Sequence, residues 1–223
     1  MIRIVQFSSA AAILLAWLIP PASRADTISL PTSAYVNGTQ LVTFADPDEA
    51  MISSISDGFL TIGFSTPMRA STVGDDWSSW GAPPNTESST PRVLWSGLDD
   101  NFNPITMEAF SLSQPVSIFG FEAQPDPTDV HTMTANFFMG GQLEQTLSLD
   151  ASGNAGALLF AAIAPPGTFF DSVTLTSDVD WAAGQFRYAP FVHTVPEPRT
   201  WGLLFAATAI LLAASRKRNA ISK

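Results

Sequence analysis

Hydrophobic residues in the middle of this chain recur at every second position, not at every third or fourth. Leu60, Ile62 and Phe64 alternate with Phe59, Thr61 and Gly63; Ile105, Met107 and Ala109 alternate with Thr106 and Glu108. Met133, Ala135 and Phe137 do so with Thr132, Thr134 and Asn136, and Val173 and Leu175 with Ser172, Thr174 and Thr176. A period of two puts one set of side chains on a buried face and the other on a wet face, which predicts β-strands. Further strands are expected over 40–44, 92–95, 116–122, 145–149, 157–163 and 181–188, and a short helix over 48–55. Turn-forming clusters separate them: Gln124-Pro125-Asp126-Pro127, Gly140-Gly141, the segment 150–156 and Pro165-Pro166-Gly167. Many short strands with almost no helical period predict an all-β fold, an antiparallel β-sandwich that is jelly-roll-like. No linker inside 26–194 is long enough to divide it into two domains.

The two ends follow other patterns. Residues 1–25 carry Arg3, an apolar run from Ala10 to Ile19, Pro20-Pro21 and then Ser23-Arg24-Ala25. A positive start, an apolar core and small residues before a cleavage point define a secretory signal peptide, with cleavage expected after Ala25. At the other end, the run from Trp201 to Ala214 contains no charge. At about 1.5 Å per residue, a helix of that length spans only some two-thirds of a hydrocarbon core of roughly 30 Å. Its flank decides the matter, because Arg216, Lys217 and Arg218 follow it and favour the cytoplasmic side. A transmembrane helix is therefore expected over 201–215, with the chain between the two ends exported.

The ordered features Val195-Pro196-Glu197-Pro198, then Trp201, then a short apolar helix and a basic cluster resemble the PEP-CTERM sorting signal of Gram-negative bacteria. The resemblance covers 195–223 and implies that the protein is the substrate of an exosortase, a membrane protease or transpeptidase that reads Pro196, Glu197, Pro198 and Trp201. It implies transient residence in the inner membrane, followed by the cell surface or extracellular matrix. The two prolines suit this, since they hold the segment before the helix extended. One departure is the stretch from Asn219 to Lys223 beyond the basic cluster, where such tails commonly stop. A stiff linker ahead of a permanent anchor is the alternative reading of Pro-Glu-Pro. Gly120-Phe121-Glu122, Phe170-Asp171-Ser172-Val173 and Gln185-Phe186-Arg187-Tyr188 are also similar to the β-sandwich ectodomains often found ahead of such tails, which supports fold and location only.

Charge narrows the partners. Nineteen of the twenty acidic residues fall between Asp26 and Val195, against three bases, Arg69, Arg92 and Arg187, leaving that segment near −16. Such a surface repels nucleic acid and anionic lipid. The chain has no cysteine, so thiolate metal sites and disulfides are excluded.

Candidate chemistry is sparse. His131 and His193 are the only histidines and form no helical metal pair, and neither a nucleophile elbow nor a phosphate-cradling glycine loop is present. The expectation is a non-enzymatic structural or adhesive module. Asp99, Asp100 and Asn103 supply hard oxygen ligands in one loop, which makes Ca2+ the one cofactor worth testing, with Asp75-Asp76, Asp126 with Asp129, and Asp178 with Asp180 repeating the theme. The same residue types are the ordinary ones of turns. Trp77, Trp80 and Trp95 lie in or beside a Gly/Pro/Ser-rich region, and Trp77 and Trp80 are the candidates for stacking on a sugar ring. Their other reading is to fill the core or pin the segment 73–91. An extracellular polysaccharide is accordingly a candidate partner, with a carbohydrate-binding module as the alternative function and a secreted hydrolase behind it.

Overall fold

A computed structural model describes residues 25–192. Residues 1–24 of the predicted signal peptide, the Pro196-Glu197-Pro198 element with Trp201, the 201–215 helix and the Arg216-Lys217-Arg218 cluster lie outside those residues. No helix among the described residues is long and apolar enough to cross a membrane.

The described residues form strands β1 (Asp26–Ile28), β2 (Gln40–Leu41), β3 (Met51–Ser56), β4 (Thr61–Thr72), β5 (Arg92–Trp95), β6 (Met107–Pro125), β7 (Val130–Met139), β8 (Gln142–Ser152), β9 (Leu158–Ile163), β10 (Phe170–Thr176) and β11 (Trp181–Pro190), with one short helix, α1 (Ser33–Gly38). Every strand pairing is antiparallel. The fold is all-β, as the two-residue period predicts.

Strand β6 belongs to two sheets. Its first half lies between β4 and β10 in the order β3-β4-β6-β10-β7-β8, and its second half lies between β9 and β11. The change of sheet occurs around Pro115, where the register against β10 jumps between Ser111 and Val116. Strand β4 makes a matching change around Pro67, pairing with β6 through Ile62–Phe64 and with β5 through Arg69–Thr72. Proline cannot donate to a ladder, so it belongs at such breaks. The buried Glu108 stabilises the β4 bend, its Oε1 accepting from the Ser65 hydroxyl and from the Thr66 N–H at 2.9 Å.

Folding β6 over on itself packs the two sheets face to face. Phe110 from one sheet meets Phe121 at 5.1 Å and Phe186 at 5.7 Å from the other, each in an edge-to-face arrangement. Ile62, Met133, Ala135, Phe137, Val173 and Leu175 are buried on the facing positions. The strand over 105–109 has the predicted period with the opposite phase: Met107 is exposed and Glu108 is buried. The bend of β4 turns a backbone N–H inward there, and a carboxylate is needed to accept it. Two other expectations fail. Residues 48–55 form no helix, because Ile52 and Ile55 both face the core from β3, and the chain's one described helix is α1, which the pattern did not single out.

The hairpin turn at Gly140-Gly141 is as expected, with φ of 57° and 77° in the left-handed region that a two-residue turn requires. Another left-handed residue, Gln185 at φ 51°, makes a bulge in β11, so that Gly184 and Arg187 flank two β11 residues opposite one of β6. The bulge sets Phe186 into the core and Arg187 onto the opposite face.

That opposite face of the β9-β6-β11 sheet is not open to water. Helix α1 and the segment 73–91 cover it as a partial third layer. Tyr35 of α1 lies over Gly120, where a Cβ would collide with the Tyr35 hydroxyl and with Ala161. Val73, Trp77 and Trp80 pack on Val93, Ala157 and Ala182.

Candidate ligand-binding groove

Strand β5 ends at Trp95 and the chain turns at Gly97, φ 77°, into a loop that returns to β6. Asp99 organises this loop. Its Oδ1 accepts from the N–H groups of Asn101 and Asn103, each at 2.8 Å, and the Asn103 amide nitrogen donates to Oδ2 at 3.2 Å. These donors, that of Asn103 foremost, hold the Asp99 carboxyl below the usual carboxylate range, so it stays ionised. Ile105 closes the loop by donating its N–H to the Gly97 carbonyl at 3.0 Å.

Within this loop Phe102 has φ 62° and its side chain is 83% exposed. Left-handed backbone is costly for an aromatic residue, and here no burial offsets the cost. The ring faces an open groove of about 550 Å³, lined on one wall by Leu98, Asp99, Asp100 and Phe102 and on the other by Met51, Pro67, Arg69 and Trp95. Met51 and Leu98 are also exposed. The floor is rigid. Trp95 donates its indole N–H to Asp180 at 2.8 Å, and Arg69 lies 4.1 Å over the Trp95 ring while pairing with Glu49 at 2.8 Å. The groove thus offers apolar surface with two carboxylates at its rim.

The sequence-based candidates distribute as follows. Asp99, Asp100 and Asn103 do come together, but Asp99 and Asn103 engage each other and their own loop. Among the described residues no three His, Cys, Asp or Glu side chains are grouped so as to hold a metal. Asp178 accepts from His131 at 2.9 Å, and Asp126 is raised by burial and by the neighbouring Asp180. Trp77 and Trp80 are 5% and 3% exposed, so neither offers a ring to solvent, which corrects the expectation of a sugar platform there. Their physical role is to hold the segment 73–91 on the sheet. Ala25 is buried against the core at the start of β1. Trp95 was a candidate by composition, whereas Phe102, Arg69 and Met51 were not singled out. An aromatic residue amid Asp99-Asp100-Asn101 and Asn103 was the one available signal, since such a run has no apolar neighbours to bury it.

Beneath the 73–91 segment lies a buried polar cluster that the sequence did not reveal. Glu122 accepts from the Trp80 indole N–H at 2.9 Å and from the Glu87 backbone N–H at 2.6 Å. Arg187 donates from Nε to Glu87 at 2.6 Å and from a terminal nitrogen to the carbonyls of Val36 and Thr39 at 3.2 and 3.3 Å. Burial pushes the Glu122 carboxyl up to about 7, against the two N–H donors, which favour its charge. Burial likewise raises the Tyr35 phenol above its ordinary value. The side chains of Glu122 and Trp80 are sealed from solvent, so the cluster is structural support.

No protein-family model matches the chain, and no curated protein matches it. Among solved structures it is similar to the enzymatically active domain of tailspike protein 4 of bacteriophage CBA120, at 15% identity and TM-score 0.32, covering 60% of this chain and 20% of that one. It is similar also to the CBM22-1 and GH10 modules of a Clostridium thermocellum endo-1,4-β-D-xylanase, at 10% identity and TM-score 0.30, covering 57% of this chain and 27% of that one. A third is the family 11 carbohydrate-binding module of a Clostridium thermocellum cellulosomal cellulase, at 10% identity and TM-score 0.26, covering 68% of this chain and all of that one. This chain thus spans about a fifth to a quarter of the first two. At such identities and TM-scores the similarities transfer no ligand or activity to it.

Proposed function

We propose that this chain is an exported, non-enzymatic binding module of the cell envelope or extracellular matrix, and that its groove between Phe102 and Trp95 takes a neutral saccharide. The observation that carries the ligand is Phe102, an aromatic ring held out in solvent on left-handed backbone at the mouth of a groove. A pyranose presents an apolar C–H face that such a ring covers, and hydroxyls that the Asp99 and Asp100 carboxylates accept. Charge argues for neutrality of the ligand. All three arginines of the described residues are paired with carboxylates, Arg69 with Glu49, Arg92 with Asp48 and Arg187 with Glu87. An anionic glycan would meet a surface near −16 with no cation to spare for it.

Export and sorting rest on the two ends of the sequence, which agree on topology and leave the sandwich between them. The first strand begins at Asp26 and the last ends at Pro190, so the described ladders lie inside the predicted mature segment. Isothermal titration of the protein against neutral, acidic and amino-sugar oligosaccharides tests the ligand. Binding of a neutral oligosaccharide is expected, weakened roughly tenfold in Phe102→Ala by loss of about 1–1.5 kcal/mol of stacking. No binding across the neutral set, or binding unaffected by Phe102→Ala, sinks the proposal.

A further inference from the structure

We propose that strand β8 is a self-association surface, pairing antiparallel with β8 of a second copy across a two-fold axis at Ser148. The open edges of the sheets are not alike. Strands β1, β2 and β3 are three, two and six residues long, and short edges are poor templates for pairing. Strand β8 is eleven residues long and among the described strands pairs only with β7, a bridge to Gly156 occupying the edge at its last residue, Ser152. Its edge has no lysine, no arginine and no proline from Gln142 to Ser152, and its charged guards are the two carboxylates of Glu144 and Asp150. One bulge, at Glu144, interrupts it near its start and leaves Gln145 to Ser152 in unbroken register with β7.

The strand's own sequence says what fits it. Leu147 and Leu149 face the core opposite Ala135 and Met133 but are only partly buried, because the sheet ends beside them. With Ser148 opposite Ser148 of the second copy, Leu147 stands opposite Leu149 twice, and the two inner faces join into one apolar row. On the outer face Thr146 stands opposite Asp150, and the ladder runs from Gln145 to Ala151, short of the Ser152 bridge to Gly156. No like charges meet. Moving the axis by one residue to Leu147 sets Glu144 against Asp150, which is unfavourable. The Thr146 carbonyl already accepts from the Gln145 side chain at 3.2 Å, a bond that a strand N–H from a second copy can replace.

The absence of cysteine makes a clean test in the full chain. In Ser148→Cys the two β-carbons across the axis lie about 4.5–5.5 Å apart, close to disulfide reach. In Thr146→Cys they lie four residues apart along the strand, about 13 Å, and out of reach. Mild oxidation at roughly 100 µM protein is expected to cross-link Ser148→Cys at least about tenfold faster than Thr146→Cys. Sedimentation of the unaltered chain is expected to show a dimer that strengthens with salt, as the repulsion between two acidic domains is screened to about 8 Å at 0.15 M. A monomer at high salt and that concentration overturns the proposal, as does equal or faster cross-linking through Cys at position 146.

Discussion

Replacing Glu122 by Gln probes the energetics of the covering layer. The Glu122 side chain is fully buried, and its carboxyl titrates near 7 in the fold against an ordinary 4.5. Because the folded value is the higher one, the native state binds more protons than the unfolded state between those values. The stabilising contribution is therefore complete below 4.5 and lost as pH rises through 7. At 1.36 kcal/mol per pH unit the separation is worth on the order of 3 kcal/mol. For a domain of this size that corresponds to a fall in Tm of roughly 6–12 °C. Gln removes the titration but keeps one acceptor of the two, its carbonyl oxygen serving either the Trp80 or the Glu87 N–H while its NH2 faces the other, so the variant starts less stable and the pH slope is the readout. Thermal melts from about pH 5 to 8.5 should show the unaltered protein losing stability and Glu122→Gln losing much less. Asp126, also raised, adds slope in the same direction in both proteins, so the difference between them is the measured quantity. Asp57, Asp99 and Asp178 are all depressed, and their contributions are lost only at more acid pH. Parallel pH profiles for the two proteins would refute the assignment of this term to Glu122.

Two further outcomes are expected. Gly120→Ala should destabilise the domain by about 1–3 kcal/mol through collision with Ala161 and the Tyr35 hydroxyl, measurable by urea unfolding; an unchanged midpoint would show that α1 yields freely. Replacing Pro196, Glu197 and Pro198 together by Ala should leave the chain unprocessed and held in the inner membrane, followed by mass and fractionation, and normal processing would refute the sorting role.

The strands whose side chains alternate against one facing sheet were legible without coordinates. Met133 to Phe137 and Val173 to Leu175 read correctly because period two is a local property of an extended chain, and Gly140-Gly141 because its backbone demands left-handed φ whatever surrounds it. Topology was predicted at the two ends from local charge and apolar length. Which face of a strand is buried is not local when something covers both. Glu122 and Arg187 fell in segments expected simply as strands, 116–122 and 181–188, yet α1 and the segment 73–91 close over them from 35 to 151 positions away. The same cover buried Trp77 and Trp80, deciding between the two readings composition had left open for them, sugar stacking and pinning of 73–91, while the exposed ring proved to be Phe102. The groove likewise joins Met51 and Arg69 to a loop near Asp99, a juxtaposition set by the bends at Pro67 and Pro115. Period and turn chemistry are written residue by residue; covering and juxtaposition depend on which distant segments a bent strand brings together, and only the tertiary structure decides that.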